Sequence, residues 1–416
     1  MKKYNIILSA LVAAVGMLMS ACSDEKDPGA NVPTKLVPIE LSRSEAEIVS
    51  SQNGFSFDMF QKLAAENERG NFMASPLSVS MVMSMLANGT AGDTRDEILN
   101  TLGFEEKELA DVNAFNRRLA KDLAEVDRTT KVSLANSIWI DNSLKVYDSF
   151  ISVNKETYGA DIFNVNLSAE ETRKDINKWA SDKTNGMIPE FLKRAPGGLA
   201  CLMNALYFNG KWVNKFDKTL TAEGDFHNAD GTLSHPMMMK APERSFAGFY
   251  DDKGASWVEI CYGNLAYRLV LVLPDEGVAL SDYLATLTKE EWQEYNGYYP
   301  KYQYKGSITF PKFTMENELE LSEVLAQLGI KKVFMSDVAD FSLMTSQEMA
   351  VSQVKQATKV RFDEEGTEAA AVTAVMVNTD PGPLANMNLV FDRPFAFIIQ
   401  ESSSKTILFT GCVNKL

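Results

Sequence analysis

Residues 364–374 read Glu-Glu-Gly-Thr-Glu-Ala-Ala-Ala-Val-Thr-Ala. Gly366 and the three alanines after Glu368 offer little to pack, so we expect the segment to be exposed as a loop. The stretch nevertheless contains no proline, and its residues alternate at the period of a β-strand: Thr367, Ala369, Ala371, Thr373 and Val375. Small side chains lose little entropy when they are buried. The pattern therefore predicts a strand that lies outside a sheet and can enter one later.

An alanine-rich run also favours a helix, because alanine is the best helix former. Four further motifs decide between the two readings, and they occur in one order over about 360 residues. They are residues 71–80 (Asn-Phe-Met-Ala-Ser-Pro-Leu-Ser-Val-Ser) with 88–92, residues 176–179 with 184–188, residues 204–212, and residues 391–397. In this order they resemble helix B, helix F with its following turn, the third strand of sheet A and the C-terminal signature of the serpin family. Residues 364–374 resemble the proximal hinge of the reactive-centre loop of inhibitory serpins.

The resemblance implies a serpin fold, in which mixed β-sheets and about eight or nine helices support an exposed reactive-centre loop. The residue pattern independently mixes helices and strands without a regular βαβ repeat, which predicts an α+β protein of one domain. Helical periodicity recurs near 148–158, 171–183, 279–286 and 317–328. Strand-like segments lie near 132–140, 201–209, 257–262, 267–273, 305–310, 391–399 and 406–413.

Three further signals predict where helices begin. Ser75 precedes Pro76 and is expected to cap a helix, since proline is favoured at the first helical position. Asn53 is expected to cap an earlier helix, and residues 94–97 (Thr-Arg-Asp-Glu) form a candidate capping box. These signals place the start of the globular part near Ser51.

The N-terminus predicts export. Residues 1–21 carry Lys2 and Lys3 before an apolar run and form a lipoprotein signal peptide. The small residues before Cys22 resemble a bacterial lipoprotein cleavage site, after which Cys22 would carry the lipid. Residues 23–27 resemble the acidic signal that sends lipoproteins of Bacteroides-type bacteria to the cell surface. We therefore expect an outer-membrane or cell-surface lipoprotein; the alternative is a secreted or periplasmic protein. The predicted domains are the signal peptide (1–21), a lipid-anchored tether with the start of the fold (22–50) and the serpin domain (51–416).

The formal charge of −15, which becomes −17 once Lys2 and Lys3 are removed, argues against nucleic acid and anionic lipid as partners. Contact with a membrane is expected through the N-terminal lipid only. The basic residues Arg117, Arg118 and Lys121 alternate with acidic ones, so no basic helix for a polyanion is predicted. A monomer is expected.

Catalytic chemistry is not predicted. The chain has two histidines, His227 and His235, which flank a predicted surface hairpin outside any recognisable catalytic motif. The cysteines other than Cys22 lie in apolar, strand-like runs without metal or disulfide spacing, and we expect them to be buried: Cys201, Cys261 and Cys412. No enzyme activity, cofactor or metal is therefore expected.

The resemblance assigns roles in a suicide-substrate mechanism, in which a protease cuts the loop and the segment before the cut enters sheet A. The hinge comprises Glu364, Glu365, Gly366, Thr367, Glu368, Ala369, Ala370, Ala371, Val372, Thr373 and Ala374. The shutter and breach, which control the opening of sheet A, comprise Ser75, Ser78, Gln356, Trp212 and Lys312, with Lys312 expected to pair with Glu364. Gln356 stands where vertebrate relatives usually carry histidine, and its amide can also donate and accept hydrogen bonds.

The reactive bond is expected before Pro381, because an X-Pro bond is a poor protease substrate and proline fits badly in a central strand. The first choice is Thr379–Asp380; the alternatives are Val377–Asn378 and Met376–Val377. These residues suit a protease with a small or medium apolar pocket, such as an elastase-like serine protease, with papain-like cysteine proteases as further targets. The alternative function is a non-inhibitory serpin-fold binding protein that is cleaved without trapping. Such relatives tend to carry proline, charge or bulk in the hinge, and this hinge does not.

Overall fold

Helices and strands are mixed along the chain in a computed structural model that describes residues 36–297, 303–366 and 385–416. The helices in these ranges are α1 (Arg43–Glu66), α2 (Pro76–Ala87), α3 (Gly92–Thr101), α4 (Leu109–Glu125), α5 (Asp148–Tyr158), α6 (Glu170–Lys183), α7 (Leu280–Thr286), α8 (Lys289–Gly297) and α9 (Ser322–Leu328). The strands there are β1 (Phe72–Ala74), β2 (Lys131–Asp141), β3 (Asp161–Val165), β4 (Ala200–Asn209), β5 (Ala222–Glu223), β6 (Phe226–His227), β7 (Leu233–Ser234), β8 (Met237–Lys240), β9 (Arg244–Tyr250), β10 (Ala255–Tyr262), β11 (Tyr267–Pro274), β12 (Gln303–Gly306), β13 (Ile308–Pro311), β14 (Phe313–Glu320), β15 (Gln353–Phe362), β16 (Ala385–Asn386), β17 (Leu389–Val390), β18 (Phe395–Glu401) and β19 (Ile407–Val413). This arrangement confirms the predicted α+β class.

The sheet that contains β15, the strand that ends just before Asp363, has five strands in the order β14-β15-β4-β2-β3, and we call it sheet A. Strand β4 pairs antiparallel with β2, and β14 pairs antiparallel with β15. Strands β15 and β4 run parallel, from Gln353 opposite Cys201 to Thr358 opposite Leu206. We call this parallel pair the seam. It joins two strands that are far apart in sequence at the middle of sheet A.

Strand β4 is buried on both faces of sheet A. Side chains alternate between the faces of a strand, so its even-numbered and odd-numbered residues pack separately. Leu202, Leu206 and Phe208 belong to the main core, which also contains residues of α1, α2 and the eight-stranded sheet. The odd-numbered residues pack in a second cluster with Ile176 and Trp179 of α6: Cys201, Met203 and Ala205. Burial on both faces explains the continuous apolar run that predicted this strand.

The remaining strands form larger and smaller sheets around the main core. An eight-stranded sheet has the order β1-β19-β18-β11-β10-β9-β12-β16, and a four-stranded sheet has the order β17-β13-β8-β5. Strands β6 and β7 pair as the predicted surface hairpin. Of the cysteines expected to be buried, Cys201 and Cys412 are buried, whereas Cys261 is only partly buried; all three are free thiols.

The first helix begins eleven residues earlier than predicted. Asn53 lies inside α1, which starts at Arg43 after Ser42. The hydroxyl of Ser42 accepts from the N–H of Glu45 at 3.3 Å, and the carboxylate of Glu45 accepts from the N–H of Ser42 at 2.8 Å. This is a capping box, so the Ser-x-x-Glu pattern at 42–45 was the correct signal. Asn53 instead holds the C-terminal hairpin, donating to the carbonyl of Lys405 at 2.8 Å.

The capping box predicted at 94–97 is also wrong. Helix α3 begins at Gly92, so Thr94 and Glu97 lie inside it. Thr94 accepts from the N–H of Asp340 at 2.9 Å, and Glu97 accepts from the N–H groups of Lys331 and Lys332. Both side chains therefore hold a distant loop against the helix, which the local pattern does not reveal.

The third predicted cap is correct, and two segments of sheet A differ from prediction. Ser75 caps α2, with Pro76 as its first residue. The predicted helix at 317–328 is in fact the end of β14 followed by α9. Strand β15 was not predicted, because polar residues such as Gln356 and Thr358 are buried within it and break the apolar pattern.

Replacing Ser42 with alanine should destabilise the protein by about 1 kcal/mol, since the helix loses the capping bond to Glu45. The change is measurable as a lower midpoint of urea unfolding. The matched control is Glu66→Ala at the other end of α1, where an ion pair with Lys62 is lost at a cost of about 0.5 kcal/mol or less. Equal losses in the two variants would show that α1 does not depend on Ser42.

Candidate functional site at the hinge and the seam

The chain reverses direction immediately after β15. The N–H of Gly366 donates to the carbonyl of Asp363 at 3.2 Å, and the N–H of Asp363 donates to the carbonyl of Gly366 at 3.0 Å. We call residues 363–366 the hinge turn. It contains the first three predicted hinge residues, Glu364, Glu365 and Gly366, and directs the chain back along the strand that it has just left.

Gly366 lies against the chain that leaves β4. It forms an isolated antiparallel bridge with Lys211, two residues beyond the end of that strand. Its φ is +125°, and an added Cβ would lie 2.4 Å from the carbonyl oxygen of Gly210 and 2.6 Å from the Cα of Lys211. Only glycine fits this close approach of two backbones. The hinge turn is therefore held at the shared end of β15 and β4, at one end of the seam.

Trp212 donates two hydrogen bonds to the hinge turn. Its indole N–H donates to the carbonyl of Asp363 at 2.8 Å, and its main-chain N–H donates to the carbonyl of Glu365 at 3.1 Å. The ring is fully buried and stacks on Tyr262 with centroids 4.4 Å apart. Trp212, for which the resemblance predicts a place in the breach, thus contacts the hinge turn directly.

The two glutamates of the hinge turn are paired with lysines. The ammonium group of Lys312 donates to Glu364 at 2.9 Å, which confirms the predicted pair. Burial raises the pKa of Glu364, but the hydrogen bond from Lys312 and further contacts outweigh it, so the pKa lies below its usual value. Glu365 contacts Lys215 and also Lys218, the latter at 2.6 Å. These two hydrogen bonds lower the pKa of Glu365.

A buried polar cluster lies under the seam, where the resemblance places the shutter. The amide of Gln356 accepts from the N–H of Ser75 at 2.7 Å and donates to the carbonyl of Ser75 at 3.0 Å. The hydroxyl of Ser75 donates to that of Ser78 at 3.0 Å. The structure therefore brings together the three predicted shutter residues. Their hydrogen bonds connect β15 to the start of α2.

Strands β4, β2 and β15 contribute three further polar side chains that the sequence did not reveal. Asn204 of β4 lies opposite Gln356 in the seam, and its amide donates to Asn136 of β2 at 2.8 Å. Thr358 donates to the carbonyl of Met73 at 3.0 Å. All three side chains are buried. Only their long-range contacts show that these residues belong to the polar cluster, because each occurs in an otherwise ordinary strand sequence.

Several predicted site residues lie outside the described residues. These are the hinge residues Thr367, Glu368, Ala369, Ala370, Ala371, Val372, Thr373 and Ala374, the reactive-bond candidates Met376, Val377, Asn378, Thr379 and Asp380, and the lipidation site Cys22. In the part of the chain that the structure describes, no group of three or more His, Cys, Asp and Glu side chains is placed to hold a metal ion.

Comparisons with known proteins agree with this geometry. The family model "Serpin (serine protease inhibitor)" matches residues 50–416. Leukocyte elastase inhibitor of Homo sapiens is 30% identical over 377 residues, which cover 88% of this chain and 98% of the relative. Alpha-1-antiproteinase of Callosciurus caniceps is 34% identical over 369 residues, covering 86% of each chain.

Two solved structures share the fold. The thermophilic serpin tengpin in its native state has a TM-score of 0.80 and 27% identity, and the match covers 92% of this chain and 97% of tengpin. Human thyroxine-binding globulin complexed with its hormone has a TM-score of 0.79 and 24% identity, with 89% of this chain and 99% of that chain covered. The second similarity concerns the fold alone.

Replacing Gln356 with leucine should destabilise the protein by about 1–3 kcal/mol, because the buried N–H and carbonyl of Ser75 both lose their partner. The control is Gln356→His, which keeps a donor and an acceptor and should retain most of the stability. Both variants are compared by the midpoint of thermal unfolding. If histidine were as damaging as leucine, hydrogen bonding at this position would not explain the effect.

Replacing Glu364 with glutamine should reduce stability at neutral pH by about 1–3 kcal/mol, since Lys312 loses its charged partner. The folded carboxyl has a pKa below its usual value of 4.5, so its contribution is complete above that pH and is lost as the pH falls through the folded pKa. The difference between wild type and variant should therefore be constant from roughly pH 6 to 8 and narrow below about pH 4.5. Urea unfolding across this range measures it, and a difference that widens in acid would contradict the assignment.

Proposed function

Because this chain belongs to the serpin family and has its fold, we propose that it is a protease inhibitor that acts as a suicide substrate. A serine protease cleaves the loop beyond Gly366 and is trapped as the acyl-enzyme when the loop enters sheet A. The chain itself performs no catalysis. Serpins are protease inhibitors as a family, and relatives of this chain carry the names elastase inhibitor and antiproteinase.

The observation that carries the proposal is the pairing at Gly366. This residue faces Asp363 on one side and Lys211 on the other, in antiparallel bridges to both. If each pairing continued for seven residues, Thr373 would lie opposite Gln356 and also opposite Asn204. Gln356 and Asn204 are already partners across the seam. The two registers therefore agree, and one inserted strand can pair with β15 and β4 at the same time.

The same register orients the side chains of the inserted segment. Residues directly opposite in neighbouring strands share a face of the sheet. Thr367, Ala369, Ala371, Thr373 and Val375 would then join the face that β4 turns to the main core. Most of these residues are small, so little side-chain entropy is lost on entry. This register favours the hinge assignment over the alternative that the alanine-rich run forms a helix.

Insertion would exchange one parallel pair of strands for two antiparallel pairs. Each backbone hydrogen bond gained contributes about 0.5–1.5 kcal/mol net, and antiparallel pairing is slightly more stable per residue. The cleaved protein is therefore expected to be more stable than the intact one. The intact protein would then be a kinetically trapped state whose lifetime depends on the seam remaining closed.

The composition of the loop supports an elastase-like target. The residues before the candidate bonds are Thr379, Val377 and Met376, which suit a small or medium apolar pocket. A relative that is 30% identical is named leukocyte elastase inhibitor. Papain-like cysteine proteases, which also form acyl-enzymes, are further candidate targets. The alternative function is a binding protein that is cleaved without trapping, and thyroxine-binding globulin illustrates that this fold also binds small molecules.

We further propose that the protein is anchored at the bacterial surface or outer membrane by a lipid on Cys22. The basis is the sequence before Cys22 and the acidic residues after it. Within the ranges 36–297, 303–366 and 385–416, no helix is long and apolar enough to cross a membrane. Metabolic labelling with a palmitate analogue tests the anchor. Wild type should be labelled and Cys22→Ser should not, whereas labelling of both proteins would exclude Cys22.

The inhibitory function is tested by incubation with neutrophil or pancreatic elastase. Wild type should form a covalent complex that survives SDS, and Thr367→Arg should be cleaved without forming it, because a charged side chain would have to enter the core. The matched control is Thr314→Arg, on the exposed edge strand β14 of the same sheet, which should trap normally.

Complex formation by Thr367→Arg would show that the hinge assignment is wrong. Loop cleavage of wild type without a complex, across a panel of proteases, would support the binding-protein alternative. Mass determination of the released C-terminal fragment identifies the peptide bond that the protease cleaves.

A further inference from the structure

Glu365 is held at three points in the hinge turn. Its carboxylate lies between the ammonium groups of Lys215 and Lys218, and only 18% of the side chain is exposed. Its carbonyl accepts from the N–H of Trp212 at 3.1 Å. Its own N–H donates to the carboxylate of Asp363 at 2.9 Å. We call the group of Glu365, Lys215 and Lys218 the Glu365 clamp.

The clamp connects the two strands that border the seam. Glu365 follows β15 by three residues, whereas both lysines belong to the segment that leaves β4. Lys215 is partly buried, with 29% of its side chain exposed, whereas 64% of the Lys218 side chain is exposed. The Lys215 pair is therefore less screened by solvent than the Lys218 pair. The clamp therefore holds the ends of β15 and β4 together at the point where Gly366 bridges to Lys211.

We propose that the Glu365 clamp is a positioning device that sets the register of strand insertion before the loop is cleaved. This inference rests on the proposed inhibitory function. The first pairing of a new strand orders backbone without much gain in bonding, whereas each later residue adds bonds to both neighbours. With the clamp closed, the pairings of Gly366 to both sides already exist when cleavage occurs.

The timing of insertion determines whether the protease is trapped. After cleavage, the acyl-enzyme ester is either hydrolysed by water, which releases active protease and spent inhibitor, or held when insertion is faster. If the hinge turn frays, insertion proceeds only from the fraction of molecules in which it is ordered. The clamp thus favours trapping over release without contacting the reacting ester.

The variant Glu365→Gln removes the charge and keeps the size of the side chain. Loss of this partly buried ion pair should lower the ratio of ordered to frayed hinge turns about two- to fivefold, and the insertion rate should fall by up to this factor. With elastase, the ratio of cleaved to trapped inhibitor should rise by up to the same factor, while the rate constant for the initial cleavage stays unchanged. The reversed clamp, Glu365→Lys with Lys215→Glu and Lys218→Glu, should restore much of the wild-type ratio.

The matched control is Glu243→Gln, which breaks an exposed pair with Lys305 and makes the same change in net charge. It should leave the ratio as in wild type. An unchanged ratio in Glu365→Gln, or an equal change in Glu243→Gln, would overturn the proposal.

A second measurement does not depend on inhibition. Hydrogen exchange of the Trp212 and Gly366 amides, which donate to the carbonyls of Glu365 and Asp363, reports the frayed fraction and should be faster in Glu365→Gln than in wild type or Glu243→Gln, by up to about fivefold. Unchanged exchange would overturn the clamp even if wild type traps no protease. Absence of trapping by wild type, by contrast, would overturn the proposed function itself.

Discussion

The parallel pairing of β15 with β4 is the constraint on which the rest of the structure depends. Six residue pairs hold this seam, from Gln353 opposite Cys201 to Thr358 opposite Leu206. Parallel strands that are adjacent in a sheet need a long connection, and here about 140 residues separate the two strands. The other strands of sheet A pair antiparallel with one of these two or lie beyond them. A strand entering between β15 and β4 would pair antiparallel with both.

Polar contacts occur at two places along the seam, and they have different roles. At its end, the hinge turn is fixed by Trp212 and by ion pairs from Glu364 and Glu365. In its middle, Gln356 and Asn204 face each other, and Gln356 connects the sheet to Ser75 at the start of α2. Apolar packing alone would favour a closed sheet without specifying a register. Gln356 bonds to Ser75 and Asn204 bonds to Asn136, so a shift of either strand by one residue would leave these buried polar atoms unpaired.

Much of this site was predictable from short motifs, and the rest was not, for physical reasons. The Lys312–Glu364 pair and the group Ser75, Ser78 and Gln356 followed from family resemblance, and the structure brings these residues together. Strand β15 was missed because its buried polar residues serve the shutter instead of the core. The partners of Glu365 lie about 150 residues earlier in the chain, so no local pattern shows them. The same holds for Thr94 and Glu97, whose capping signature is used for contacts with a distant loop.

We propose that the cleaved loop inserts at the seam between β15 and β4, and a crystal structure of the protein after loop cleavage is the decisive measurement. Sheet A should then have six strands, with a new antiparallel strand between β15 and β4 and with Thr373 between Gln356 and Asn204. A cleaved protein in which β15 and β4 still pair directly, with Gln356 opposite Asn204, would contradict it.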